Sequence, residues 1–411
     1  MLSEPREGQL PVPTTRRAIN IAILAGCYLF VLLTNSGFAQ APTGDAIDYR
    51  QIAAAAPGLP DEVGSAYAGR FVVHYLVGVA AHATGMSLDL AYGLSWGLLM
   101  LVLAAVLIAL FGDLPTGDFA VCAALFVLSP YALRPYALQT GMVQDLVFVI
   151  GCGICLFGLR RYLVRWVLIG LLLAAVGRQS VIAVAPVVAI WLLFDPGWRV
   201  AVDTARRRWA AVAALTVTYG TFAAIKLFTA PFSGDYEPSI LRDSVLTRIG
   251  DLPGAAGELA AHFARTAVPL VVPGAAALAL LLVVGVRRAG FGFYAALAFA
   301  AAIVAQPAMI NPAWPGFAYN EQRLSALALL PLVYAVAVLL PMTTWRGAAT
   351  VRTAAALVLL AIASLHHEFS VVGPNSLPQF LITQFAAALA VAALLLTGRR
   401  RPADRLEPTA R

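Results

Sequence analysis

Two carboxylates stand three residues apart in the stretch Gly44-Asp45-Ala46-Ile47-Asp48-Tyr49-Arg50-Gln51-Ile52, which runs on into four alanines. On a helix Asp45, Tyr49 and Ala53 share one face, with Asp48 beside them. A carboxylate placed where a chain leaves apolar surroundings for water can orient or deprotonate a hydroxyl. A plainer reading fits the same letters: Asp45 as an N-cap and Asp48 as its acidic partner three residues on, an ordinary helix start. Four arginines, Arg70, Arg134, Arg178 and Arg323, flank apolar runs on the same side of the chain's predicted topology, and Gln179 follows Arg178 directly. The planar guanidinium fork can grip two oxygens of a phosphate. Each of these arginines has an alternative use, snorkelling to the interface or pairing with an acid, as Glu321 and Arg323 would do locally.

Metal and redox chemistry find weaker support. His74 and His82 are eight residues apart, and two histidines do not close a metal site. His366, His367 and Glu368 form another candidate ligand cluster and read better as a solvated loop. Cys152 and Cys155 have redox-motif spacing, but all four cysteines lie inside apolar runs, where they read as small core residues. The aromatics Tyr131, Tyr136, Trp314, Phe317 and Tyr319 fit an interfacial belt better than a sugar-stacking surface.

The elements that must position these groups are membrane helices. Of 411 residues 61% are hydrophobic and 12% charged, and the mean hydropathy is +0.82, so the chain must be solvated by lipid. Apolar runs lie near residues 18–38, 87–111, 119–133, 146–159, 164–176, 180–194, 209–230, 266–286, 289–309, 324–341, 353–365 and 378–397. Their continuity selects helices over barrel strands and predicts about 12 spans. The first run ends in Asn35, Ser36, Gly37, Phe38, Ala39 and Gln40, an ending that a signal peptide could also have, but it reads as an uncleaved helix because it is about 20 residues long and many further spans follow. The segment from Phe71 to Gly85 is short and interrupted by His74 and His82, and reads as a helix at the interface.

Leaving that segment out of the count puts the basic clusters on one side. These are Arg16 and Arg17; Arg160, Arg161 and Arg165; Arg206, Arg207 and Arg208; Arg287 and Arg288; Arg346 and Arg352; and Arg399, Arg400 and Arg401. That side is the cytoplasm by the positive-inside rule. The inner loop Gly112 to Asp118 dissents, with two aspartates and no cation. The expected organisation is a single domain over 18–397 in the plasma (inner) membrane, with tails 1–17 and 398–411 both cytoplasmic. The candidate site then lies on the outer face. The net charge of +7 reports this topology and not nucleic-acid binding.

An Asp after the first membrane helix, a Tyr four residues on and an Ala four beyond that are followed by a proline-rich break and a short apolar helix opening with a basic residue. This pattern resembles the GT-C superfamily of membrane glycosyltransferases, which includes protein O-mannosyltransferases, lipid A aminoarabinose transferases and oligosaccharyltransferases. The similarity covers roughly the first 200 residues. It implies that Asp45 meets the acceptor and that residues 46–56 and 70–85 are the two juxtamembrane helices. It also implies that Asp145 is the second acidic residue, and Arg178 the basic residue that follows the fifth helix. The sequence departs from the pattern at Ala46, where many relatives carry a second acid, and at Arg70-Phe71, where a Lys-Pro pair is common. No large soluble C-terminal domain is expected.

The implied fold is all-α, polytopic and GT-C-like. The implied function is inverting transfer of a sugar from a polyprenyl-phosphate donor to a glycan, lipid or protein acceptor. Asp45, Asp48 and Asp145 are the candidate catalytic carboxylates. Tyr49, Arg70, His74, Arg134, Arg178, Gln179, Glu321 and Arg323 are the candidate substrate-binding residues. One branch of the superfamily holds a divalent cation between such acids and the others work without metal, so no cofactor is expected. A carrier or lipid flippase is the rival from another class, and would place ionisable groups near mid-membrane. A polysaccharide polymerase shares the spans and outer arginines but not the first-loop Asp with its following Tyr.

Overall fold

The computed structural model describes residues 14–40, 44–234, 266–308, 317–345, 349–367, 369–372 and 377–400. Its helices are α1 (Thr14–Leu33), α2 (Asp45–Ala55), α3 (Ser65–Ala68), α4 (Phe71–Thr84), α5 (Leu88–Phe111) and α6 (Thr116–Val127). Next come α7 (Arg134–Leu138), α8 (Val143–Arg161), α9 (Val164–Gly177), α10 (Val181–Phe194), α11 (Pro196–Ala201) and α12 (Thr204–Thr229). The rest are α13 (Val271–Val284), α14 (Gly290–Ala308), α15 (Phe317–Ala326), α16 (Leu329–Leu339), α17 (Ala349–Leu365) and α18 (Leu377–Leu396). A two-stranded antiparallel pair, Thr343–Trp345 with Gly398–Arg400, joins the end of α16 to the end of α18.

Among the described residues six helical segments are long and apolar enough to cross a membrane: Thr14–Leu33, Leu88–Phe111, Thr140–Arg161, Thr204–Phe232, Gln322–Met342 and Gln379–Leu396. The other six of the twelve expected runs fold into shorter apolar helices, and so does the interface segment, as the 14-residue α4. Two of the long segments form the centre of the bundle, Thr140–Arg161 and Gln322–Met342, buried along 83% and 89% of their apolar windows against 22–33% for the others. The outer helices turn large apolar side chains outward: Leu90, Leu94, Leu98 and Leu101 are all exposed on α5, while Leu103, Leu107 and Leu110 pack inward. Such a stripe is tolerable only against lipid.

Helices α8 and α9 pack through a seam of small residues. A Cβ on Gly151 would strike the backbone at Ala174, one on Gly170 the backbone at Cys155, and one on Gly158 would lie 2.5 Å from the Val167 nitrogen. Without those side chains the two backbones approach closely, as membrane helices do when dispersion and not the hydrophobic effect must hold them. Cys152 and Cys155 are buried free thiols, which bears out their reading as small core residues.

The loops sort into two ends. At one end Arg16 donates to the Asp113 carbonyl at 2.5 Å, Arg161 pairs with the Asp113 carboxylate, and Arg160 lies 3.7 Å from it. The dissenting acidic loop is therefore neutralised by the basic clusters assigned to the same side. At the other end Ser36 N–H donates to the Phe369 carbonyl (2.8 Å), Ala39 and Gln40 donate to Ala137 and Leu138 (3.0 and 2.8 Å), and Val63 exchanges bonds with Phe232 and Gly234 (both 2.8 Å). Every one of these segments falls on the side predicted to be opposite the basic clusters.

Candidate functional site

Helix α2 starts at Asp45 itself. Gly44 is the residue before it, at φ 53°, a left-handed geometry that glycine adopts without strain, and no side chain caps the helix. The N-cap reading of Asp45 therefore does not hold. Its carboxylate is committed elsewhere: Oδ2 pairs with Arg323 Nη2 at 3.0 Å and Oδ1 accepts from the Tyr67 hydroxyl at 3.3 Å. Asp48, half-buried in the same first turn, has no ion-pair partner among the described residues, and burial together with the Asp45 charge raises its carboxyl above the usual range.

Asp145 sits in the first turn of α8, where the small-residue seam brings it to Arg178. A Cβ on Gly177 would lie 2.6 Å from Phe148 N and 2.8 Å from the Gln144 carbonyl, so the backbone just before Arg178 rests on the turn that carries Asp145. Asp145 Oδ1 pairs with Arg178 Nη1, and both side chains are 1% exposed or less. Its Oδ2 lies 3.8 Å from Arg323 Nη1. Arg323, in α15, thus stands between the two carboxylates that the sequence singles out, and its Nη1 also contacts Met142 Sδ at 2.8 Å.

Beside this triad Arg70 donates to the Tyr49 hydroxyl, one turn along α2 from Asp45. The Tyr49 ring is stacked on His74, with centroids 4.1 Å apart and planes 5° from parallel. The Tyr92 hydroxyl donates to the Tyr49 carbonyl at 3.2 Å and lies 3.0 Å from His74 Nδ1. Tyr92 has one hydroxyl proton, so its bond to Tyr49 assigns the donor role at Nδ1 to His74. Burial, reinforced by the Arg70 cation, pushes the His74 imidazole down to about 3, so it is neutral and serves as a wall of the site. Gln179 packs on Gly69, where a Cβ would strike its amide, next to Arg70.

Asp45, Tyr49, Arg70, His74, Asp145, Arg178, Gln179 and Arg323 therefore assemble at one end of the bundle from five separate stretches of chain. Three arginines face two carboxylates, with Asp48 a third acid in the same turn as Asp45, and the Nε atoms of Arg70 and Arg178 are buried without a hydrogen-bond partner among the described residues. Buried guanidinium groups with donors left unmet can serve an anion. No group of three or more His, Cys, Asp or Glu side chains suited to a metal occurs among the described residues.

Arg134 lies elsewhere. Its guanidinium bonds the Val31 and Thr34 carbonyls (3.3 and 2.9 Å), the Thr34 hydroxyl (2.8 Å) and the Ser364 hydroxyl (3.0 Å), tying α1 to α17. Two further expectations need correction. Tyr131 and Tyr136 are 2% exposed and so form no interfacial belt; the Tyr131 hydroxyl bonds Gln322. His367 is also buried, ringed by Tyr131, Phe369 and Phe380, and not in a solvated loop. His74 is buried and His82 exposed, so they share no site. The side chains of Glu321, Phe317 and Tyr319, together with Trp314, Glu368 and the third loop beyond Gly234, lie outside the described residues.

Tyr67, Tyr92, Met142 and Gln144 belong to the site and were not singled out from the sequence. Their only sequence signal is a polar or soft side chain near a helix end. Compared with known proteins, the chain matches no family model and no curated protein.

Proposed function

We propose that the chain is an inverting glycosyltransferase of GT-C type that transfers sugar from a polyprenyl-phosphate donor at the outer face of the plasma (inner) membrane, with about 12 spans and both termini cytoplasmic. The observation that carries this reading is the bridge Asp45–Arg323–Asp145, flanked by Arg178 and Arg70, whose buried Nε atoms have no hydrogen-bond partner among the described residues. The cluster lies at helix ends, where a lipid-borne phosphate meets the interface, and not at mid-span, where a carrier would keep its ionisable groups.

The chemistry divides between the two carboxylates by exposure. The Asp45 side chain is 23% exposed and can meet an acceptor; that of Asp145 is fully buried and holds Arg178 and Arg323 in place. The acceptor hydroxyl oxygen attacks C1 of the sugar from the side opposite the phosphate. As the new C–O bond forms, the C1–O(phosphate) bond breaks, its electron pair leaves on the phosphate oxygen, and the hydroxyl proton passes to Asp45. The arginines stabilise the charge that collects on the phosphate. Asp48 is a supporting group in this scheme.

The test is consumption of radiolabelled polyprenyl-phosphate sugars by the purified protein in lipid nanodiscs, with Asp45→Asn as control. Turnover of one such donor, falling by at least about a hundredfold in the variant, is the expected result. No consumption of any polyprenyl-phosphate pentose or hexose would overturn the proposal.

A further inference from the structure

Both carboxylate oxygens of Asp45 are engaged, Oδ2 by the Arg323 guanidinium at 3.0 Å and Oδ1 by the Tyr67 hydroxyl at 3.3 Å, so an acceptor hydroxyl has to displace a partner to reach it. The same guanidinium has a second seat within reach. Asp145 Oδ2 is 3.8 Å from Arg323 Nη1, is fully buried, and accepts no hydrogen bond from any described residue. A buried carboxylate oxygen without a donor is costly, and a shift of less than 1 Å by Arg323 would satisfy it. The two contacts differ in the same sense: the closer, at 3.0 Å from Nη2, is to the partly exposed acid, and the looser, at 3.8 Å from Nη1, is to the buried acid.

Resting on the reading above, we propose that Arg323 is a two-position switch that couples filling of the anion site to release of Asp45. With the site empty, Arg323 holds Asp45. When a phosphate headgroup engages Arg178 and Arg70, it draws part of the Arg178 charge away from Asp145. Arg323 then moves onto Asp145 Oδ2, and Asp45 is freed to face the acceptor. Donor therefore binds before acceptor, and a water or acceptor hydroxyl arriving first meets a carboxylate that is already occupied. Arg323 is a positioning residue in this scheme, acting through Asp45.

The switch is read directly by the modification rate of the Asp45 carboxylate with a hydrophilic carbodiimide, measured by mass spectrometry on the full chain in nanodiscs. A polyprenyl monophosphate is the probe, and its binding is followed separately by a thermal shift. In the wild-type protein the probe is expected to raise Asp45 modification by at least about tenfold, the effect of losing one charge-assisted bond. Arg323→Gln should show the high rate without probe and no further response. Arg323→Lys, which keeps the charge but not the fork, should respond partially. Probe binding with unchanged or reduced Asp45 modification in the wild type would overturn the switch and leave the transferase reading standing. Failure of the probe to bind at all would overturn both.

Discussion

Replacing Arg178 with Ala tests the ion pair on which the site is built. Asp145 has no exposed side-chain surface, and Arg178 is its direct partner, with Arg323 0.8 Å beyond hydrogen-bonding reach of Oδ2 if 3.0 Å is taken as the bonded distance. Removing one member of a buried pair leaves an uncompensated charge and costs about 3–5 kcal/mol. Because Arg323 can move in on Asp145, the low end, about 3 kcal/mol, is expected. Removing both charges should cost much less, since well-packed apolar residues of similar size replace buried pairs at little loss. Arg178→Met with Asp145→Leu should thus be within about 1–2 kcal/mol of the wild type, and more stable than either single variant, while losing transfer activity. Equilibrium unfolding in mixed detergent micelles, run as a double-mutant cycle, gives the four stabilities. A single Arg178→Ala cost below about 1 kcal/mol, or a double variant as unstable as the sum of the singles, would refute a buried, energetically coupled pair. The cycle also separates two effects that the Ala variant alone would mix, loss of donor binding and loss of fold.

His74 and His367 are both held at about 3 against an ordinary value of 6.5. Because the folded value is depressed, the stability they contribute is present above pH about 6.5 and lost as pH falls toward 3. At pH 5 each should cost about 2 kcal/mol, and His74→Gln should remove roughly half of that acid sensitivity in an unfolding series. At Gly78 a Cβ would collide with the Ala53 carbonyl, so Gly78→Leu should separate α4 from α2 and lower thermal stability by about 2 kcal/mol or more, read by a melting curve. Arg134→Ala strips four described acceptors of their donor and should reduce folded yield without changing donor affinity in the folded fraction, as titration of the purified variant would show. Cysteines placed near residues 60 and 140 should react with an impermeant thiol reagent from outside, and those near 163 and 207 should not; outside labelling at 163 would invert the topology.

The sequence by itself determined the kind of molecule this is. Hydropathy demanded lipid, and run lengths demanded helices. The interruption by His74 and His82 marked α4 as a short helix, which it is, at 14 residues, but α6, at 12, and α9 and α10, at 14, are no longer, so length does not set α4 apart. The basic clusters sorted the loops into two groups, and two of those clusters meet at Asp113 in the fold. These properties are local, readable from 20-residue windows, because the bilayer imposes the same requirement on every segment. Several site residues were legible for a related reason: a charged side chain beside an apolar run is rare enough to stand out, as Asp45, Asp145 and Arg178 do.

Pairing was not legible. That Arg323 bridges two acids 278 and 178 residues away depends on how α15 settles against α2 and α8, and letters carry no distance across such separations. Arg134 and Arg178 look alike in sequence, flanking apolar runs at helix ends; one meets hydroxyls and carbonyls, the other a carboxylate, because different helices pack over them. The belt reading of Tyr131 and the solvated-loop reading of His367 failed for the same cause, since the two side chains bury each other where the loop after α6 meets the end of α17. Charge and hydropathy act on each residue alone and can be read in order along the chain. A site made of opposed charges exists only once the small-residue seam of α8 and α9 has set the distance between them.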